Sequence, residues 1–428
     1  MRRHDAIVVG AGPAGSIAAL VLARAGAKVA LVDRRVFPRD KACGDLVGPR
    51  GVHLLNELGV SIPGARPLGD MIVVAPNNQR VLLPALPGSN YADHAMAVTR
   101  EVFDACLFDM AIAAGAHVVH KRVTGLLYEQ DVVDGVQLSG GAAIRGDVVV
   151  GADGATSSVA QQAGLVDSAK ALWGFALRGY LDAEVDLPHI VLWEPRPWRL
   201  FPGYGWVFPT SGNGANVGLG LAFGNDRGAS RRAGEQLDDF LAHLTRQGLV
   251  PRSDVRSRTG GWLKMGVLGT VPAGRGVLLV GDAAGLINPL QGEGIAQAMA
   301  SGCAAANAIL AAGPRDASRH YLTYLDNAVR HHRANAPVQA GMVKHPLAVS
   351  VTSRVLSAPG IDRVVAGAWG LYWNDLATDA LPSRHRRLAM ASTRAISAAV
   401  RRSAAANWFA TQFTPAEPTP FAAQRSLS

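Results

Sequence analysis

The sequence predicts an α/β fold joined to a mostly antiparallel sheet, and three observations carry that expectation. The first is a run of strand, glycine turn, helix, strand and acid within residues 6–33. The second is the return of a buried apolar run ending on glycine beside an acid, at residues 147–154 and again at 277–282. The third is the change of texture over residues 173–262, where aromatics, prolines and short alternating segments replace long apolar runs. Together they describe a Rossmann-type nucleotide domain that is discontinuous in sequence, with a sheet-rich piece inserted before its last strand.

The first element reads AIVVGAGPAGSIAALVLARAGAKVALVD. Residues 6–9 form an apolar run that stops at Gly10-Ala11-Gly12-Pro13-Ala14-Gly15, an Ala/Leu-rich helix follows to Arg24, and a second apolar run ends on Asp33. Each part has a physical job in dinucleotide binding. Gly10 permits the tight turn, Gly12 lets backbone approach a pyrophosphate, and Gly15 allows close helix–strand packing. The helix N-terminus offers unpaired N–H groups and partial positive charge to phosphate. Asp33 sits where a carboxylate accepts from ribose hydroxyls and disfavours a 2′-phosphate.

Taken in order, residues 37–45 and 48–51 read as loop, followed by a helix through Leu54, Leu55 and Leu58 that stops at Gly59. The apolar runs 71–74 and 81–83 between Pro63 and Pro87 predict hairpin strands. A helix is expected over residues 100–114 and strands near 118–119 and 132–138. Within the sheet-rich stretch a polar helix covers residues 234–246; Gly218, Gly220 and Gly224 belong to strand, because no helix follows them. A small-residue helix is expected over residues 294–312, and Arg/Ala-rich helices broken at Pro337, Pro346, Pro359 and Pro382 come after it. The expected division is residues 1–63, 98–170 and 268–320 for the nucleotide domain and 64–97 and 171–267 for a substrate domain. Residues 321–413 form a helical C-terminal region and 414–428 a disordered tail.

A length of 428 residues, 49% hydrophobic and 18% charged, describes an ordered chain with ample core. Three scattered cysteines exclude a disulfide framework and a four-cysteine zinc site, and point to a reducing cytoplasm. No histidine pair shows metal-ligand spacing, so no metal is expected. The first strand starts too early for a signal peptide, and no uninterrupted apolar run approaches the roughly 20 residues of a transmembrane helix. A net charge of +9 invites a nucleic-acid reading, but the basic residues are dispersed and no nucleic-acid motif accompanies them. The exceptions are residues 384–387 and 401–402; with Leu388, Met390, Ile396, Val400, Trp408 and Phe409 they suit a helix lying on an anionic bilayer or a docked helix with a solvated basic face.

Five stretches together resemble one family. Four are the N-terminal fingerprint, Cys43-Gly44-Asp45 within FPRDKxCGD, Gly151-Ala152-Asp153-Gly154, and Gly281-Asp282-Ala283-Ala284 with Asn288-Pro289-Leu290-Gln291-Gly292-Glu293-Gly294. These are similar to FAD enzymes of the para-hydroxybenzoate hydroxylase fold. The fifth, Tyr204-Gly205-Trp206-Val207-Phe208-Pro209 followed by Gly218-Leu219-Gly220, resembles the YxWxFP…GxG signature of geranylgeranyl reductases and their menaquinone-reductase relatives. The resemblance covers about residues 5–310. It implies FAD held by Gly10, Gly12, Pro13, Ala14, Gly15, Asp33, Arg34, Cys43, Gly44, Arg100, Asp153, Gly281, Asp282, Pro289, Gly292, Gly294 and Ile295. Arg100 would reach the phosphate region, Asp282 the ribityl chain, and the helix opened by Gly292 and Gly294 the pyrimidine edge, where a positive helix end stabilises anionic reduced flavin.

The resemblance further implies an oxidoreductase that passes a hydride equivalent to one carbon of a C=C bond in an isoprenoid or similar apolar substrate. Cys43, Asp45, Tyr204 or water would protonate the other carbon, and Tyr204, Trp206, Phe208, Gly218 and Gly220 would line the substrate pocket. The electron donor would be NAD(P)H or a ferredoxin. The rival is an FAD monooxygenase of secondary metabolism on the same scaffold, since fold does not dictate reaction. A flavin-bound electron-relay protein is the non-enzyme alternative, and the intact pocket motif speaks against it.

Overall fold

The computed structural model describes residues 3–74, 78, 80–83, 91–192, 203–223, 232–251, 254–289 and 292–329. The expectations for Leu290, Gln291, the C-terminal helices beyond residue 329, the segment 384–413 and the tail lie outside the described residues.

Residues 6–33 fold as their pattern predicts. β1 (Ala6–Val9) is buried throughout and turns at Gly10, whose φ of +100° suits only glycine. α1 (Pro13–Arg24) starts on a proline, which lacks the N–H a first helical turn leaves unpaired, and β2 (Val29–Asp33) returns parallel to β1. After the Cys43 loop come β3 (Leu46–Val47) and α2 (Pro49–Glu57), which ends at Gly59 with φ 63°. β4 (Arg66–Leu68), β5 (Met71–Val74), β6 (Arg80–Leu83) and β7 (Ala95–Ala97) follow, with β5 and β6 paired antiparallel as a hairpin.

α3 (Arg100–Ala113) buries Phe103, Leu107 and Ala111 on one face. It leads to β8 (His117–His120), then β9 (Val123–Glu129), β10 (Val132–Leu138) and β11 (Ala143–Arg145), which form a small antiparallel sheet. β12 (Val149–Gly151) and α4 (Ser158–Gln162) complete this stretch. The sheet-rich piece holds β13 (Leu172–Leu181), β14 (His189–Val191), β15 (Gly203–Pro209), β16 (Ala215–Phe223), α5 (Ala233–Arg246) and β17 (Arg256–Met265). The chain then makes β18 (Ala273–Gly274), β19 (Val277–Leu279), a 3-10 turn over Gly281–Ala284, and α6 (Ile295–Ala328). Gly313, at φ 72°, and Pro314 bend α6, where the sequence predicts its first helix to end.

Two large sheets result. The first has the order β18-β19-β12-β1-β2-β8 and is parallel except for β18. Strand order reverses around β1, and the crevice at the carboxyl ends there is where open α/β sheets bind ligands. The second has the order β17-β13-β16-β15-β14-β5-β6, antiparallel except for the parallel β14–β5 pair. A short sheet β3-β7-β4 carries the chain between them. The larger core covers the parallel sheet, with α1, α3 and α6 packed on it. The seven-stranded sheet has α5 on one face, where Leu237, Phe240 and Leu244 meet Val207, Val217 and Leu219. Its other face carries Met71, Val73, Ile190, Trp206 and Phe208 against Leu46 and Leu68. α6 is long and apolar enough to cross a membrane by length and composition, but 67% of its most apolar window is buried within the fold.

Candidate active site

A cleft of about 630 Å³ opens at the carboxyl ends of β1, β2 and β12, lined by Gly10, Gly12, Asp33, Arg34, Arg39 and Lys41 and closed across by Thr259–Gly261 of β17. The three glycines of the β1–α1 turn do different work. A Cβ on Gly10 would lie 2.4 Å from the Ala152 carbonyl oxygen, and one on Gly15 would lie 1.8 Å from that of Gly10, so both close the turn on itself. A Cβ on Gly12 meets only the tip of Arg39, at 3.6 Å. Gly12 is also the N-cap of α1 and has no capping side chain, so the helix N–H groups face the cleft. Asp33 accepts from the Ala11 amide at 2.7 Å and the Arg35 amide at 2.8 Å, which orients its carboxylate along the cleft. Basic side chains, an open glycine turn and an oriented acid fit the ADP half of FAD.

The other acids anticipated for the cofactor are held in place by the protein. Asp153 accepts from the Ser157 hydroxyl, the Ser158 amide at 2.7 Å and the Val159 amide at 3.2 Å, so it caps α4 while lining the cleft. Asp282 pairs with Lys41 at 3.4 Å, and a Cβ on Gly294 would lie 3.6 Å from its Oδ1. The 3-10 turn and the N-terminus of α6 therefore converge. Pro289 precedes this opening, Gly292 stands at φ 66°, and Gly294 caps α6 without a side chain ahead of Ile295.

Arg100 sits at the first turn of α3, beside the Cys43 turn. It is 4% exposed, and its guanidinium forks onto Asp104 at 2.7 and 2.8 Å and feels the Cys43 thiol. Arg39, which shares Asp104 at 3.4 Å, is the arginine that lines the cleft beside Gly12.

The register of β15 on β16 explains the spacing of the aromatic motif. Tyr204 faces Gly220, Trp206 faces Gly218 and Phe208 faces Asn216, so two glycines lie opposite two large rings. A Cβ on Gly218 would come within 2.3 Å of the Trp206 ring. The three aromatics share one face as alternation requires, with ring centroids 6.2 Å apart at each step. On the other face a Cβ on Gly205 would enter the Phe240 ring at 2.0 Å. Trp206 and Phe208 are buried, and the Cys43-Gly44-Asp45 turn sits on them: a Cβ on Gly44 would lie 2.8 Å from Phe208. Tyr204 reaches farther, its hydroxyl 3.0 Å from where a Gly292 Cβ would stand. Burial pushes its phenol up, with Glu293 and Cys43 adding to the shift.

Asp45 anchors the turn from behind. It adopts φ 58° and is 2% exposed. Its Oδ2 accepts from the Tyr180 hydroxyl at 2.5 Å and from Asn216 at 2.9 Å, and its Oδ1 accepts from the Arg100 amide at 3.3 Å, at the start of α3. Burial raises its carboxyl, opposed by those donors and by Arg178 and Arg100. Burial also raises the Cys43 thiol, opposed first by Arg100. Arg178, fully buried, pairs with Asp40, bonds the Ser257 carbonyl at 2.7 Å and stacks over Tyr180 at 4.5 Å. Sequence reasoning missed Tyr180, Arg178, Asn216 and Lys264. Asn216 alone carried a signal, since residues 216, 218 and 220 fall on one face of a strand. Among the described residues no cluster of His, Cys, Asp and Glu suits a metal ion.

Lys264, near the end of β17, is 1% exposed; its ammonium donates to the Ala283 carbonyl at 2.6 Å and feels Asp153 and Asp282. Burial pushes it down to about 8 from 10.5, against the pull of the two acids. The unfolded chain therefore holds a proton that the fold has released between about pH 8 and 10.5. Stability rises with pH across that window, by about 3 kcal/mol from this group, and the contribution is absent below pH 8. Chemical denaturation at pH 7 and pH 10 is expected to show a smaller rise in Lys264→Met than in the unaltered protein; equal rises would refute the assignment.

Fold and cleft define a class: a flavoprotein with a Rossmann-type cofactor sheet and a separate antiparallel sheet over it. Residues 3–340 match the family described as FAD binding domain. A menaquinone reductase of Mycolicibacterium smegmatis is 34% identical over 76% of this chain and 80% of its own length. Digeranylgeranylglycerophospholipid reductase 2 of Methanopyrus kandleri is 33% identical over 70% of this chain and 74% of its own. The chain belongs to this FAD-binding family, with the geranylgeranyl and menaquinone reductases, and is an FAD-dependent oxidoreductase. Among solved structures, a geranylgeranyl bacteriochlorophyll reductase-like protein of Thermoplasma acidophilum superposes with a TM-score of 0.71, covering 91% of this chain and 99% of that one at 23% identity. The flavin-dependent brominase Bmp2 superposes with a TM-score of 0.69 at 18% identity, over 94% and 100% of the two chains. These two likenesses concern the fold alone.

Proposed function

We propose that this protein saturates C=C bonds of an isoprenoid-bearing apolar substrate such as a prenylated quinone or lipid. The observation that carries the reading is the meeting of Tyr204, the Cys43 turn and the opening of α6 at one place, with the aromatic motif beneath. Bound FAD, once reduced, supplies a hydride equivalent. The chain's own residues do the rest. α1 and Gly12 would hold the pyrophosphate, Asp33 the ribose, and Asp282 with the start of α6 the flavin end. Arg34, which lines the same cleft, would meet the ribose, and Asp153 would steady the turn below. Tyr204 and the Cys43 turn exclude water and orient the double bond, and Cys43 or Tyr204 delivers the proton, with Asp45 behind the turn.

The relatives act on menaquinone and on digeranylgeranylglycerophospholipid by name, which supports this substrate class. NAD(P)H or a ferredoxin supplies electrons; both are anionic, and Arg34, Arg35, Arg39, Lys41, Lys121 and Arg122 line the cleft. A cytoplasmic enzyme meeting the bilayer surface through residues 384–413 would take up such a substrate directly.

Chemically reduced enzyme mixed anaerobically with prenylated quinones and lipids is expected to reoxidise and to yield product two mass units heavier per saturated bond. If reoxidation requires O₂ and one ¹⁸O atom enters the product, the protein is a monooxygenase instead.

A further inference from the structure

Asn216 is 1% exposed, and its side-chain amide joins three parts of the site. Its Oδ1 accepts from the Trp206 indole at 2.8 Å. Its Nδ2 donates to the Cys43 carbonyl and to Asp45 Oδ2, each at 2.9 Å. The partners fix the orientation of this amide: an indole N–H only donates, and a backbone carbonyl only accepts. No other side chain of this length supplies one acceptor and two donors here. Aspartate loses the donors when ionised, leucine has no polar group, and serine has one donor.

We propose that Asn216 is a positioning residue for the reaction, clamping the Cys43 turn onto the aromatic strand so that Cys43 and Tyr204 keep their spacing around the double bond. This rests on the reductase reading above. Tyr180 and Arg178 hold Asp45 and Asp40 to β13, and the Asn216 amide holds the turn to β16, next to the aromatic strand. Gly44 has no side chain to grip the strand, and a Cβ there would strike Phe208. Among the described residues, the Cys43 carbonyl and the Asp45 carboxylate are where hydrogen bonds tie the turn to β16. Without the amide, the turn keeps its attachments to α3 and to Tyr180 but loses its register on the wall.

The test uses the FAD-loaded full chain and two variants. Asn216→Leu removes every bond. Asn216→Asp keeps the shape and the Trp206 bond, and it changes character with pH. Ionised, the new carboxylate faces Asp45 and the Cys43 carbonyl; protonated, it donates once. The charged and titratable groups around it are Asp45, Cys43, Tyr180, Arg178 and Arg100. Hydrogen exchange of the peptide spanning residues 40–48 is followed against the unaltered protein at each pH, together with single-turnover reoxidation by a prenylated quinone. Asn216→Leu is expected to exchange at least tenfold faster and to reoxidise at least tenfold more slowly, with FAD stoichiometry unchanged. Asn216→Asp is expected to show both defects at alkaline pH and to recover towards the unaltered protein as pH falls; being isosteric and uncharged there, it decides the matter if the leucine variant fails to fold. Exchange that matches the unaltered protein at every pH overturns the clamp. Faster exchange with unchanged turnover overturns the positioning role. If the unaltered protein is not reoxidised anaerobically while the exchange differences hold, the reductase reading fails and the clamp stands.

Discussion

Replacing Gly12 by valine is expected to leave a folded protein that no longer holds FAD. The backbone at Gly12 is extended, φ −73° and ψ −175°, a conformation a β-branched residue adopts without strain. Its Cβ meets only the flexible end of Arg39, at 3.6 Å. It projects into the space at the α1 N-terminus where the pyrophosphate must approach the backbone to within hydrogen-bond distance. FAD affinity is expected to fall at least 100-fold, about 2.7 kcal/mol, while stability of the FAD-free protein shifts by no more than about 0.5 kcal/mol. Gly10→Val and Gly15→Val provide the contrast, because their side chains would run into backbone at 2.4 and 1.8 Å and disturb the fold itself. Flavin fluorescence titration and thermal unfolding of the three variants check the result. Stoichiometric FAD on purified Gly12→Val would show that the pyrophosphate does not pass over this glycine.

Much of this was legible before the structure, for identifiable reasons. The β1–α1–β2 unit announced itself because apolar run length, glycine placement and the terminal acid are all local signals. So were the β5–β6 hairpin, the helix opening at Arg100 and the break at Gly313-Pro314. The meaning of YxWxFP…GxG was not legible. It depends on the register of two strands, which sets Tyr204 against Gly220 and Trp206 against Gly218. The pairing of Arg100 with Asp104, four residues on along one helix, is a local signal of the same kind as those of the β1–α1–β2 unit. Tyr180, Arg178 and Lys264 escaped because their partners Asp45, Asp40 and Ala283 are far away in sequence. Long-range pairs of buried polar groups leave no periodic trace. They are found only when the fold brings their strands together.

Trp206→Ala is expected to separate the reaction from cofactor retention. The indole is 5% exposed; it fills the space against Gly218, supports the Cys43 turn through Asn216, and lines none of the nucleotide cleft. Truncation leaves a cavity and an unpaired Asn216 oxygen, at a cost of about 3–5 kcal/mol. The residues proposed to hold FAD, Gly12, Asp33 and Asp282, lie at the α1 N-cap, on β2 and in the 3-10 turn, away from the indole, and keep their surroundings. FAD stoichiometry is therefore expected to stay at one, while single-turnover reoxidation by an apolar substrate slows by about 100-fold, about 2.7 kcal/mol of barrier. Trp206→Phe separates shape from hydrogen bonding. It retains most of the ring and loses the bond to Asn216, which costs about 1–3 kcal/mol of stability, and its rate should fall between the other two. Two results would count against this division of labour. Loss of FAD together with activity in Trp206→Ala would mean that the two sheets are not independent. A rate equal to that of the unaltered protein would reduce the aromatic strand to core packing with no bearing on the reaction.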